Sequence, residues 1–136
     1  MTPTDMAALH ARCFTSPRPW VAQEFAAIVS NPLCFTLIES NGFLIGRAVA
    51  DEAEILTLAV DAQARRCGLA AKLVQGFLTE ALNRRAASAF LEVAANNDAA
   101  ISLYLQAGFA KVGLRQGYYV RPNKPAIDAV VMSRAV

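Results

Sequence analysis

The chain has 136 residues, 55% of them hydrophobic and 18% charged, with a net charge of +2. That length suits one domain around a single core, and the composition excludes a disordered tail or a solvated linker array. So mild a charge, scattered except at Arg65-Arg66 and Arg84-Arg85, excludes a polyanion-binding face and is compatible only with a small local anion site.

Cys13, Cys34 and Cys67 form an odd set without metal-ligand spacing, and His10 is the single histidine, so neither a disulfide framework nor a metal site is expected. The N-terminus lacks a basic region followed by an apolar one, and no apolar run approaches the roughly 18 residues that span a bilayer. A soluble cytoplasmic protein is the expectation, with no nucleic-acid or membrane partner.

Thr2 before Pro3 predicts a helix start, and Met6, Leu9, His10 and Cys13 recur at helical spacing up to about Phe14. Residues Thr15 to Pro19 break the chain, and Pro19 is expected to open a second helix with Trp20, Phe25, Ile28 and Val29 on its apolar side, closed by Asn31-Pro32. Cys34 to Glu39 and Phe43 to Ala50 flank Ser40-Asn41-Gly42 and predict a hairpin. Glu54 to Val60 reads as a third strand. A long helix follows from Gly68, with Ala70, Val74, Phe77, Leu78 and Ala81 on one side and Lys72, Gln75, Thr79 and Asn83 on the other. The rest predicts a strand over Ala89 to Ala94, a helix from Asn97 to Ala107 ended by Gly108, and two strands, Ala110 to Val120 and Ala126 to Met132. The order α-α-β-β-β-α-β-α-β-β predicts one α/β domain over residues 1–136, a mixed sheet flanked by helices.

The most informative stretch is Leu58-Ala59-Val60, followed after four residues by Arg65-Arg66-Cys67-Gly68-Leu69-Ala70-Ala71. A strand end, a basic glycine-bearing turn and a helix N-terminus point unpaired N–H groups and a helix dipole at one spot, which predicts a phosphate site. It is neither a Walker loop nor a dinucleotide turn, since both glycine patterns are absent.

Arg65, Gly68 and Ala70 after a strand resemble the Gln/Arg-x-x-Gly-x-Gly/Ala pyrophosphate loop of the GCN5-related N-acetyltransferases. A second segment of that family is resembled by Asn97, Ala100, Leu103-Tyr104 and Gly108-Phe109. Within the family, Leu91-Glu92-Val93, Gly117-Tyr118-Tyr119, Asp128 to Met132, and His10 to Phe14 before Pro19-Trp20 are similar to the RimI-type ribosomal-protein-alanine N-acetyltransferases. The resemblance implies a central sheet with splayed strands, and acetyl-coenzyme A bound by Leu58 to Val60, Arg65 to Ala71 and Asn97. It implies direct transfer to an amine, in particular the N-terminal alanine of a ribosomal protein. Glu92 takes the role of general base and Tyr104 that of the acid at the departing thiolate, while a backbone N–H at Ala59 or Val60 serves the oxyanion.

By the same resemblance Phe14 and Trp20 face the acceptor, whereas Tyr118 and Tyr119 either line its groove or pack in a hairpin. Glu24, Glu39 and Asp128 are candidate carboxylates for a basic acceptor. Cys67 lies beside arginines but has no histidine partner, so it reads as a loop residue. Two other readings share these motifs: an acetyltransferase for a small-molecule amine, and a non-catalytic acyl-coenzyme A-binding module. Many relatives open with a short edge strand; with Thr2-Pro3 so early, that strand is expected to be missing or very short.

Overall fold

The protein is described by a computed structural model over residues 1–14, 18–65 and 67–136. Its first element among these is a helix, α1 (Pro3–Cys13), closed by a reciprocal cap in which Asp5 N–H donates to Thr2 Oγ1 at 3.1 Å and Thr2 N–H donates to Asp5 at 2.8 Å. The second helix, α2 (Ala22–Val29), begins three residues later than Pro19 suggested. Two contacts hold the preceding chain out of the helix. Trp20 N–H donates to His10 Nδ1 at 3.0 Å, and Glu24 accepts from Val21 N–H at 3.0 Å while pairing both carboxylate oxygens with Arg18.

Strands β1 (Cys34–Glu39) and β2 (Gly42–Val49) form the expected hairpin, and β3 (Glu52–Val60) starts two residues early. A single 3-10 turn leads to α3 (Leu69–Asn83), followed by β4 (Ser88–Ala94), α4 (Asp98–Gln106), β5 (Ala110–Arg121) and β6 (Lys124–Ala135). The six strands lie in the order β1-β2-β3-β4-β6-β5, antiparallel except for β3 against β4.

Two departures from regular pairing shape the molecule. First, β3 and β4 are paired only from Glu52↔Ser88 to Ile55↔Leu91, although β3 continues to Val60 and β4 to Ala94, so the strands part beyond that point. Second, Ile45 pairs with Thr57 but Gly46 with Ile55, which leaves Leu56 as an extra residue in β3. A bulge of this kind reverses the alternation of side chains. Ala53 and Ile55 therefore pack with α3 and α4, whereas past the bulge Thr57 and Ala59 face α1 and α2. The bulge lies where the strands separate.

Two cores result, one on each face. The larger joins Leu73, Val74 and Phe77 of α3 and Ile101 and Tyr104 of α4 to Leu44, Ile55, Leu91 and Val93. The smaller joins Met6, Leu9 and Phe25 to Phe43, Ile45 and Ala59. Gly46 permits the close approach of the hairpin to α3, since a Cβ there would lie 2.6 Å from the Phe35 ring and 2.9 Å from Phe77. Among the described residues no helix is long and apolar enough to cross a membrane.

Candidate active site

A cleft of about 520 Å³ opens where β3 and β4 part. Of the residues singled out from the sequence, Glu92, Tyr104, Leu58, Asn97, Phe14, Trp20, Tyr118 and Tyr119 line it. Glu92 stands between the buried Leu91 and Val93 on β4, so alternation sends its carboxylate to the opposite face, towards α1 and α2. Tyr104 approaches from α4 on the other side of the sheet. Only because the strands have separated do both reach one space.

Arg115 on β5 pairs with Glu92 at 3.2 Å and lies 5.5 Å from the centre of the Tyr118 ring, fixing the carboxylate against the hairpin. Burial raises the Tyr104 phenol well above its ordinary range, and Tyr119 adds to the effect. Tyr119 is itself pushed up to about 12, by burial first and then by Glu92 and Tyr118. Both phenols are therefore protonated at neutral pH and serve as donors.

Of the remaining predicted cofactor residues that the structure describes, Ala59 and Val60 end β3 and the others follow it, outside the cleft lining. Asp61 N–H donates to the carbonyl of Asn41, in the turn just before β2, at 2.8 Å, so by the two-residue period the N–H and C=O of Ala59 turn towards β2 and those of Val60 away from it. The Val60 carbonyl accordingly accepts from Arg65 Nε at 3.2 Å and from the Cys13 thiol at 3.4 Å. Arg65, expected on a phosphate, thus braces the strand end. Cys67 is exposed and its thiol donates to the Ala64 carbonyl at 2.6 Å. Gly68 is the N-cap of α3 with φ +81°, a left-handed conformation that favours glycine, and a Cβ there would meet nothing within 4 Å. No side chain caps α3, and the N–H groups of Leu69, Ala70 and Ala71 lie in its first turn, before Lys72 N–H closes onto Gly68 O at 3.0 Å. An open N-terminus of this kind fits a pyrophosphate. Arg66 lies outside the described residues, as do Thr15, Ser16 and Pro17.

Asn97 lines the cleft but uses its side-chain oxygen to cap α4, accepting from Ala100 N–H at 3.1 Å. The acceptor carboxylates need correcting. Glu24 is engaged by Arg18 and Val21, and Glu39 on β1 pairs with Lys72 at 2.8 Å, so neither lines the cleft. Asp128 accepts from Gly117 N–H at 2.8 Å within the β5–β6 ladder. Besides Glu92, the carboxylate that does line it is Glu54, paired with Arg47 at 2.7 Å.

The model of the Acetyltransferase (GNAT) family matches residues 4–109, more than half of the chain. The chain belongs to the GNAT family. It is an acetyl-coenzyme A-dependent N-acetyltransferase. It is 33% identical over 135 residues to the ribosomal protein bS18-alanine N-acetyltransferase of Escherichia coli K12, covering 96% of this chain and 90% of that one. It is also 33% identical over 137 residues to the N-alpha-acetyltransferase RimI of Mycobacterium tuberculosis, covering 94% and 83%. The crystal structure of the E. coli ribosomal-protein-S18-alanine N-acetyltransferase superposes with a TM-score of 0.81 at 29% identity, covering 96% of this chain and 84% of that one.

Sequence reasoning missed the polar centre of this GNAT cleft. His10, 1% exposed, stacks on Phe14 at 4.3 Å and on Trp20 at 5.4 Å, and its Nε2 lies 2.9 Å from Thr57 Oγ1. In the sequence it was legible as a lone histidine on the apolar side of α1 and as the first residue of the His10 to Phe14 resemblance, and neither signal gave it a partner. Desolvation lowers its pKa from 6.5 to about 4, against the partial opposition of Glu24 and with some help from Arg18. The unfolded chain protonates this imidazole near 6.5 and the folded one only near 4, so its contribution to stability is complete above pH 6.5 and is lost as the pH falls towards 4. The Glu24 carboxylate, held at about 2 chiefly by Arg18, begins to destabilise only below its ordinary 4.5. Urea unfolding at successive pH values is therefore expected to show a loss of at most about 1.4 kcal/mol per pH unit between about pH 6 and pH 5, absent from His10→Gln. A wild-type curve flat across that interval would contradict the buried neutral imidazole.

Proposed function

We propose that this GNAT enzyme acetylates the N-terminal α-amine of a ribosomal protein, with alanine as the first residue. The observation that carries the chemistry is that Glu92 and Tyr104, from opposite faces of the sheet, line one cleft. The acceptor is supported by the resemblance to the bS18-alanine enzymes along nearly the whole chain. The aromatic wall of Phe14, Trp20, Tyr118 and Tyr119 adds support, being suited to a peptide lying against rings rather than to a highly charged polyamine.

Acetyl-coenzyme A supplies an acetyl thioester. In this reading the first turn of α3, from Gly68 to Ala71, receives its pyrophosphate, and Leu58, Ala59 and Val60 border its arm. Glu92 removes the proton of the acceptor ammonium, directly or through one water. Little base strength is needed, since an α-amine has a pKa of about 7.7–8.0. In this reading Val60 N–H serves the developing oxyanion, and its direction away from β2 supports it over Ala59, whose N–H turns towards β2. Tyr104 donates to the departing sulfur. Its phenol lies above the usual value of about 10 and a thiol near 8.5, so complete proton transfer is uphill; Tyr104 stabilises the thiolate chiefly as a hydrogen-bond donor.

Peptides with a first-residue alanine are expected to be acetylated at the α-amine much faster than free lysine or a polyamine, and an N-terminally blocked copy not at all. Mass spectrometry of the product locates the acetyl group. Its appearance on a lysine side chain, or faster turnover of a polyamine, contradicts the acceptor assignment. Glu92→Gln is expected to lower kcat/KM at neutral pH by about 10²–10⁴ and to recover part of it once the amine is neutral, with cofactor affinity unchanged. Tyr104→Phe loses about tenfold or more in kcat without that recovery. A wild-type pH–rate profile for Glu92→Gln removes it as the base.

A further inference from the structure

The His10–Thr57 pair has a direction that the distances determine. His10 Nδ1 accepts the Trp20 N–H at 3.0 Å, so Nδ1 carries no proton, and the neutral ring must carry it on Nε2. Nε2–H then donates to Thr57 Oγ1 at 2.9 Å, and the hydroxyl proton of Thr57 is not used on His10. Among the described residues Thr57 makes no other side-chain hydrogen bond. The bulge at Leu56 has turned Thr57 to the face that Glu92 also occupies, and both line the cleft. A hydroxyl whose lone pair is engaged by a buried N–H, in a cleft also lined by Phe14 and Trp20, is a donor in need of an acceptor oxygen.

We propose that Thr57, oriented by His10, donates its hydroxyl proton to the carbonyl of the acceptor's first residue. Thr57 is then a specificity-determining residue and His10 a positioning residue that also fixes Trp20. This rests on the peptide α-amine reading above and adds the group recognised: the carbonyl one bond beyond the α-carbon, which an alanine N-terminus has and a simple alkylamine lacks. The low imidazole pKa keeps the ring neutral across the neutral range, and the Trp20 N–H on Nδ1 holds it in the Nε2–H tautomer.

The test is a cycle between the hydroxyl and the carbonyl. An alanyl peptide and its analogue with the first C=O replaced by CH₂ are compared on wild type, Thr57→Val and Thr57→Ser, by turnover and by competition, with acetyl-coenzyme A saturating. In wild type the analogue is expected to bind about tenfold more weakly than the parent, the size of one hydrogen bond lost in a closed site. Thr57→Val should weaken the parent by about the same factor and leave the analogue unaffected; Thr57→Ser should restore the wild-type pattern. The KM for acetyl-coenzyme A should stay unchanged throughout. Thr57→Ala serves as a second hydroxyl deletion, should valine disturb the packing. Equal loss for parent and analogue, or wild-type affinity in both deletions, overturns the proposal while leaving the acceptor reading intact. Wild type that acetylates no peptide α-amine overturns both.

Discussion

The separation of β3 from β4 after Ile55↔Leu91 is the constraint on which the rest of the molecule depends. Continued pairing would close the sheet and bury Glu92 against β3, with Tyr104 sealed on the far side. Parting instead leaves N–H and C=O groups of β3 without strand partners, and their satisfaction has to come from elsewhere. Arg65 and Cys13 do this for the Val60 carbonyl, tying the loop before α3 and the end of α1 to the same strand end. The Leu56 bulge adds the second half of the device, because it turns Thr57 and Ala59 to the α1–α2 face while Leu58 and Val60 contribute to the α3–α4 core.

Except for Asn97, which caps its own helix, the polar groups described around the opening are held by partners from other elements rather than by neighbours in sequence. Glu92 is paired by Arg115 from β5, His10 bridges the Trp20 backbone and Thr57, and Glu54 is paired by Arg47 from β2. Each arrangement limits what the group can do. Arg115 fixes where the Glu92 carboxylate sits, and burial keeps the Tyr104 phenol protonated and able to donate. Buried and ringed by aromatic side chains, the His10 contacts are the ones whose strength, and whose cost of disturbance, these surroundings raise.

Local chemistry was legible in the sequence and long-range pairing was not. Arg65, Gly68 and Ala70 announced a helix N-terminus suited to phosphate because cap, turn and dipole act within a few residues, and Gly68 is the N-cap with positive φ. Glu92 between two apolar strand residues was readable from alternation alone. The start of α2 was misread because Pro19 is a good opening residue in isolation, while the actual boundary is set by Glu24 and by a histidine ten positions back. The bulge, and the pairing of His10 with Thr57 across 47 positions, belong to the register of β2 on β3 and to the docking of α1, neither of which leaves a mark in local periodicity. Glu24 and Glu39 looked available as carboxylates until their cations were located.

In the proposed reaction the two faces of the sheet meet in one opening, so that the amine reaches the acetyl group directly and no side chain carries it in between. Intact-protein mass spectrometry after incubation with acetyl-coenzyme A alone tests this, paired with initial-rate kinetics in which both substrates are varied. Direct transfer leaves no acetyl adduct on the protein, including Cys13 and Cys67, and gives intersecting rate lines that require both substrates bound at once. A stoichiometric acetyl adduct that is discharged on adding the acceptor, with parallel lines, would contradict it.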